Sequence, residues 1–147
     1  IPNFDNCERF LENDFEHRDY VLVCTSDNRE TFIYENRTRN IRKYLEMADG
    51  RQLLFKLHPN ENAARAAREI EQHAPGSIVY AEGKTEEMIA NSQMMIAQFS
   101  STIFVGSALN KPVYCGLEPD YLKRLTPLQN RSAARRIAGV CRQVIEA

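Results

Sequence analysis

The sequence lacks the features that mark several large classes of protein. Its 147 residues include no tryptophan and no apolar run near the ~20 residues that a membrane-spanning helix needs. Neither sign of charge dominates, because 19 lysines and arginines face 20 aspartates and glutamates. Proteins that bind nucleic acid through surface charge usually have a strong basic excess, so we expect no nucleic-acid partner.

Cysteine is scarce and scattered. The four cysteines form no CxxC pair, and Cys24 and Cys115 lie inside apolar runs. Such cysteines are typical of buried, reduced thiols, so we expect a cytoplasmic protein without a metal site. The sequence has no signal peptide and begins with Ile1, and we expect it to be part of a larger protein.

Motifs of several enzyme classes are also missing. The sequence contains no HExxH, no GxxxxGK[ST], no GxGxxG and no nucleophile elbow followed by Asp and His. These absences argue against a metalloprotease, a P-loop enzyme and a serine hydrolase.

Short apolar runs alternate with segments of helical periodicity. The runs predict strands at 20–24, 53–57, 77–81, 94–97 and near 113–117. The periodic segments predict helices near 4–14, 35–47, 60–74, 85–90, 103–109, 119–125 and 130–146, the last with inward-facing Ala134, Ile137, Val140, Cys141, Val144 and Ile145. Alternating strands and helices predict one α/β Rossmann-like domain over 1–147, with three layers and about five or six parallel strands.

Polar residues follow three of these predicted strands. They are the stretch 25–28, His58 before Pro59, and the hydroxyls of Ser100, Ser101 and Thr102 before a helix. Ligands of such sheets bind beyond the carboxyl ends of the strands, and a helix N-terminus attracts anions, so we predict a phosphate site. Two other interpretations stay open, a strand-ending turn at His58 and a simple helix cap at 100–102.

The helix predicted near 35–47 is rich in basic residues, which we place on its polar face: Arg37, Arg39, Arg42 and Lys43. A solvated helix face explains them, and a basic surface for a phosphate or an anionic lipid is the alternative.

Four segments together resemble a known family. They are FKLHPNE at 55–61, GKTEEMIANS at 83–92, FSST at 99–102 and ALNKPV at 108–113. They resemble the C-terminal nucleotide-binding half of GT-B glycosyltransferases. The resemblance is strongest to bacterial capsule-polysaccharide and sialyl-type transferases that use CMP-sugars and to CDP-glycerol glycerophosphotransferases. It extends more distantly to UDP-N-acetylglucosamine 2-epimerases.

The resemblance implies roles for individual residues. It makes His58 a catalytic residue that binds the nucleotide phosphate together with Ser100, Ser101 and Thr102. Lys56, on the same side of its strand as His58, either adds positive charge or extends to the sheet edge.

The base and ribose would be held by the turn after the third strand, with Gly83, Thr85 and Glu86 as contacts. UDP-using relatives carry an acidic residue just after the serine motif, where this chain has Phe104, Val105 and Gly106. This difference weakens the epimerase alternative, and the resemblance itself implies a CMP- or CDP-linked donor.

The implied function is the donor-nucleotide half of a GT-B transferase that builds bacterial cell-surface polysaccharide. Its substrates would be a nucleotide-activated donor and a glycan acceptor, without a further cofactor. The general base and acceptor site would belong to a missing N-terminal Rossmann half, and the protein would work in the cytoplasm or at the inner face of the membrane. The alternatives are a non-catalytic nucleotide-binding, phosphate-binding or scaffold domain, and a UDP-GlcNAc 2-epimerase-like enzyme.

Overall fold

The fold is a five-stranded parallel sheet, seen in a computed structural model that describes residues 4–98 and 100–146. Its strands lie in the order β3-β2-β1-β4-β5, and every neighbouring pair is parallel. They are β1 Val21–Cys24, β2 Leu53–Lys56, β3 Ile78–Tyr80, β4 Met94–Ala97 and β5 Val113–Tyr114. The predicted α/β Rossmann-like class is confirmed, with β1 at the centre of the sheet.

Helices cover both faces of the sheet. α1 Arg37–Ala48 and α2 Ala63–His73 pack on one face, against the side chains of Val21, Val23 and Phe55. The other face buries Leu22 and Met95 beneath a 3₁₀ helix Cys7–Leu11, α3 Thr85–Asn91, α4 Ile103–Ala108 and α5 Pro119–Leu125. Within the described part of the chain, no helix is long and apolar enough to cross a membrane.

α1 and α2 begin slightly later than the sequence predicts, because capping residues set their starts. The side chain of Asn36 accepts a hydrogen bond from Arg39 N–H at 3.0 Å, so α1 begins at Arg37 rather than near residue 35. Asn62 caps α2 in the same way, which delays that helix to Ala63. The sequence also predicts Thr85 as the N-cap of α3, and this prediction is wrong, because Lys84 occupies the cap and Thr85 is the first helical residue.

The last helix, α6 Ala133–Ile145, buries none of its residues. The prediction that its apolar side chains point inward is wrong: Ile137 is 50% exposed and Val144 is 73% exposed, and Cys141 is exposed too. Asp5 holds the start of α6, since its Oδ2 accepts from Ala133 N–H at 2.8 Å. A periodic sequence gives a helix an apolar face, but it does not supply the surface that covers that face.

A close contact joins α4 to the sheet. A Cβ atom added to Gly106 would lie 2.8 Å from Cγ2 of Val113 and 3.2 Å from Sδ of Met95. Glycine at this position therefore lets α4 approach β4 and β5, and it places the turn before α4 close to the end of β4.

Replacing Gly106 by alanine is expected to lower the free energy of unfolding. Overpacking costs about 1–3 kcal/mol, which outweighs the roughly 1 kcal/mol that alanine gains in a helix. Gly139→Ala is the matched control, because a Cβ there meets no atom within 4 Å, and it should stabilise the protein slightly. Urea denaturation measures both changes, and equal stabilisation by both variants would contradict the close contact.

Candidate functional site

The carboxyl ends of the strands meet at one edge of the sheet, which we call the carboxyl edge. At this edge Cys24 of β1 pairs with Lys56 of β2 on one side and with Ala97 of β4 on the other. Residues 25–28, the β1 turn, therefore lie between the end of β2 and the end of β4. Adjacent strands are about 4.8 Å apart, so those two ends are separated by roughly 10 Å.

The β1 turn is hydrogen-bonded to both of its neighbours. The hydroxyl of Thr25 accepts from the backbone N–H of His58 at 3.0 Å. On the other side, Nδ2 of Asn28 donates to Oε1 of Gln98 at 3.2 Å, and Gln98 donates to the hydroxyl of Tyr44 at 3.3 Å. The structure thus links His58 to the end of β4 through β1.

The ring of His58 is oriented by its own loop. Its Nδ1 accepts from the backbone N–H of Asn60 at 3.2 Å, so the neutral ring carries its proton on Nε2. Oδ2 of Asp27 lies 3.8 Å from the same Nδ1 and is held by Nδ2 of Asn60 at 3.1 Å. The side chain of His58 is one-third exposed, which leaves the ring able to donate from Nε2 to an anion at the carboxyl edge.

The hydroxyl residues 100–102 form the turn that leads into α4. Oγ of Ser100 and Oγ1 of Thr102 are 2.7 Å apart, and Thr102 N–H donates to Oγ of Ser100 at 3.3 Å. Ser101 is exposed, and Phe99 of the same motif lies outside the described residues. α4 has only six residues, so its dipole adds little and the hydroxyls themselves are the donors to consider.

Cys24 lies beneath this turn. Burial raises the pKa of its thiol to about 12, although a hydrogen bond with Thr102 works in the opposite direction. Cys24 therefore stays a neutral thiol near pH 7. The expectation of buried, reduced cysteines holds for Cys7 and Cys24, whereas Cys115 is half-buried and Cys141 is exposed.

The ammonium group of Lys56 binds backbone rather than facing solvent. Its Nζ donates to the carbonyls of Leu57 at 2.8 Å and Ala81 at 3.0 Å, which joins the ends of β2 and β3. Burial lowers the pKa of Lys56. Its predicted phosphate contact would have to use the remaining N–H.

The predicted base and ribose contacts lie beyond β3, on the outer side of the edge. Gly83 has a φ of +103°, and a Cβ there would lie 2.8 Å from Cε of Met88, so the turn requires glycine. Thr85 and Glu86 occupy the first turn of α3 and are half-buried.

A buried ionic cluster lies behind the β1 turn. The guanidinium of Arg37 binds Oε1 of Glu61, and its Nε lies 3.0 Å from Oε1 of Glu35 without a well-aligned hydrogen bond. The other oxygen of Glu61 accepts from the hydroxyl of Thr25 at 2.5 Å. These three charged side chains are only 1–6% exposed. The prediction that Arg37 lies on a solvated face is therefore wrong. Arg37 is the first residue of α1, and its buried guanidinium neutralises the carboxylates of Glu35 and Glu61.

Ion pairs farther out attach the loop after β1 to α2. Arg29 binds Glu69 at 2.7 Å, and Glu30 binds both Arg65 and the backbone N–H of Asn62. These side chains are 22–36% exposed. Sequence patterns did not single them out, because each partner lies 32 to 40 residues away along the chain.

One groove lies beside the candidate site rather than over it. It has a volume of about 1290 Å³ and runs along β5, lined among others by Tyr44, Gln98, Tyr114 and Leu122. His58 and residues 100–102 do not line it. The candidate site is therefore defined by its donors and not by this groove, which is lined by α1, α5 and the ends of β4 and β5.

No protein-family model matches the sequence, and a search of curated proteins finds no match. Among solved structures, Thermosulfurimonas dismutans KpsC, a beta Kdo 2,7 transferase, is similar at a TM-score of 0.50 and 15% identity, over 74% of this chain and 39% of that chain. Structures of the wall teichoic acid polymerase TagF have TM-scores of 0.45 to 0.47 and 13–14% identity, over 98% of this chain.

The similarity to KpsC shows the fold of this chain. It agrees with the Rossmann-like α/β domain that the resemblance implied. The chain spans 39% of KpsC and 48–49% of TagF, so it corresponds to less than half of either structure.

Replacing Arg37 by methionine is expected to destabilise the protein by about 3–5 kcal/mol, because it leaves buried carboxylates without a counter-charge. Arg39→Met is the control, since Arg39 is exposed on the same helix, and its effect should stay within about 0.5 kcal/mol. Urea denaturation compares the two variants. A loss at Arg37 no larger than at Arg39 would mean that the cluster is not desolvated.

Proposed function

We propose that this chain is the donor-nucleotide half of a GT-B glycosyltransferase, and that it takes a CMP- or CDP-linked donor for bacterial cell-surface polysaccharide. The observation that carries the proposal is the arrangement of His58, whose Nδ1 accepts from Asn60 and whose ring is one-third exposed, so that Nε2–H is the donor available at the carboxyl edge. The hydroxyls of residues 100–102 lie on the other side of the β1 turn, as the resemblance to the HP and Ser-Ser-Thr motifs implies.

The chemistry of glycosyl transfer explains why these groups would be needed. As the glycosidic bond breaks, negative charge grows on the phosphate that leaves with the nucleotide. Donors that are already oriented toward that phosphate stabilise the transition state more than the ground state. His58 would donate from Nε2, and Ser100, Ser101 and Thr102 would donate from their hydroxyls.

The acceptor site and general base would belong to a second Rossmann half, which we propose precedes this chain. The exposed apolar face of α6 supports the proposal, because Ile137, Val140 and Val144 at helical spacing need a covering surface. We propose a cytoplasmic location because the four cysteines are free, as is typical of that compartment. Peripheral membrane contact stays a prediction, based on the exposed Arg39, Arg42 and Lys43 of α1.

A non-catalytic binding or scaffold domain is the second candidate. The specific observation in its favour is that Ser100 and Thr102 hydrogen-bond to each other, as they would in a turn that only shapes the chain. The epimerase-like alternative has less support, because Val105 and Gly106 are buried within α4 where an acidic ribose contact would be needed.

Nucleotide binding tests the proposal. The full-length protein should bind CMP or CDP more tightly than UMP or UDP by isothermal titration calorimetry. His58→Ala should weaken that binding by about 10- to 100-fold, because a hydrogen bond to a charged group contributes about 1.5–3 kcal/mol.

The matched control is His73→Ala. His73 ends α2 and contacts Oγ1 of Thr38 at 3.1 Å, away from the carboxyl edge, so its loss should leave affinity unchanged. Tighter binding of UDP would favour the epimerase-like alternative. Binding of no nucleotide by the full-length protein would favour the scaffold alternative.

A further inference from the structure

We propose that Glu61 is a positioning residue that fixes His58 at the carboxyl edge, acting through the hydroxyl of Thr25. The inference rests on the proposed role of His58 as a phosphate donor, but its geometry can be tested without a nucleotide.

Both backbone groups of His58 are tied to Glu61. The carbonyl of His58 accepts directly from the backbone N–H of Glu61 at 3.0 Å. The N–H of His58 donates to Oγ1 of Thr25 at 3.0 Å, and that hydroxyl reaches Oε2 of Glu61 at 2.5 Å. Backbone and side-chain bonds therefore close a ring around His58.

The direction of these hydrogen bonds follows from the groups involved. A carboxylate can only accept, so the single hydroxyl proton of Thr25 points to Glu61. The lone pairs of Oγ1 are then left for the N–H of His58. Without this carboxylate, the hydroxyl of Thr25 could rotate and donate to another acceptor, such as the carbonyl of Lys56 at 3.4 Å.

Glu61 is itself held in place before any ligand binds. Its side chain is 1% exposed, and its second oxygen binds Arg37. Burying a carboxylate is costly, and a turn that only ended a strand would not need one. The fixed carboxylate instead sets the backbone of His58, from which Asn60 orients the ring, so Nε2–H is oriented in advance.

Thr25→Val and Thr25→Ser separate this role from general packing. Valine keeps the shape but removes the hydroxyl, whereas serine keeps the hydroxyl. Ser26→Ala is the control, because it removes the neighbouring hydroxyl, which bonds to Glu35 instead of Glu61. All variants are made in full-length protein labelled with ¹⁵N-histidine, and the His58 signals are assigned from their loss in His58→Ala.

In Thr25→Val, ring ¹⁵N shifts of His58 should move from the Nε2–H tautomer toward a mixture. The backbone amide of His58 should exchange its hydrogen about tenfold faster or more, and CMP affinity should fall about tenfold, as for the loss of one buried hydrogen bond. Thr25→Ser and Ser26→Ala should keep the wild-type ring shifts of His58. Their amide exchange rate and CMP affinity should stay within about twofold of wild type.

Unchanged ring shifts and amide exchange in Thr25→Val would overturn the proposal. If Thr25→Val does not fold, Glu61→Gln replaces it. The glutamine oxygen can accept from Arg37, and its NH₂ then donates to the hydroxyl of Thr25, which turns the hydroxyl proton away. The same ring and amide changes are then expected, and their absence overturns the proposal. If the ring and amide respond but wild type binds no CMP, positioning stands and the proposed function fails.

Discussion

The buried charge of Glu61 is the constraint on which the carboxyl edge depends. A carboxylate removed from water needs a counter-charge and hydrogen bonds, and Arg37 and Thr25 provide them. Meeting that need holds Arg37, the first residue of α1, beside the β1 turn. The same bonds hold His58, so one buried charge links the central strand to the candidate phosphate site.

The site is a set of hydrogen-bond donors with little chemistry of its own. His58 and the hydroxyls of 100–102 are donors suited to an anion, and Lys56 is largely occupied by backbone carbonyls. The proposed function assigns such a set of donors to one half of a two-part enzyme, whose second half would bring the acceptor. The uncovered apolar face of α6 is consistent with that division.

The sequence was most informative where short-range patterns decide structure. Apolar runs located all five strands, and the segment Pro119–Leu125 was predicted as a helix with its observed bounds. It was least informative where distant residues meet. The burial of Arg37 depends on Glu61, 24 residues later, and the exposure of α6 depends on which surfaces the rest of the fold leaves free. Strand order placed Thr25 between the two predicted phosphate-binding segments, which periodicity alone could not show.

The buried ionic cluster and the outer ion pairs behind the carboxyl edge differ in their response to ionic strength. Arg29 with Glu69 and Glu30 with Arg65 are partly exposed, so dissolved salt screens them. The pair formed by Arg37 and Glu61 is shielded from solvent and is screened much less. Rising salt therefore loosens the outer part of the loop after β1, where Phe32 is 98% exposed, while the inner anchor stays closed. The base of the loop is held by buried charge and its tip by partly exposed charge, so the two respond differently to the ionic medium.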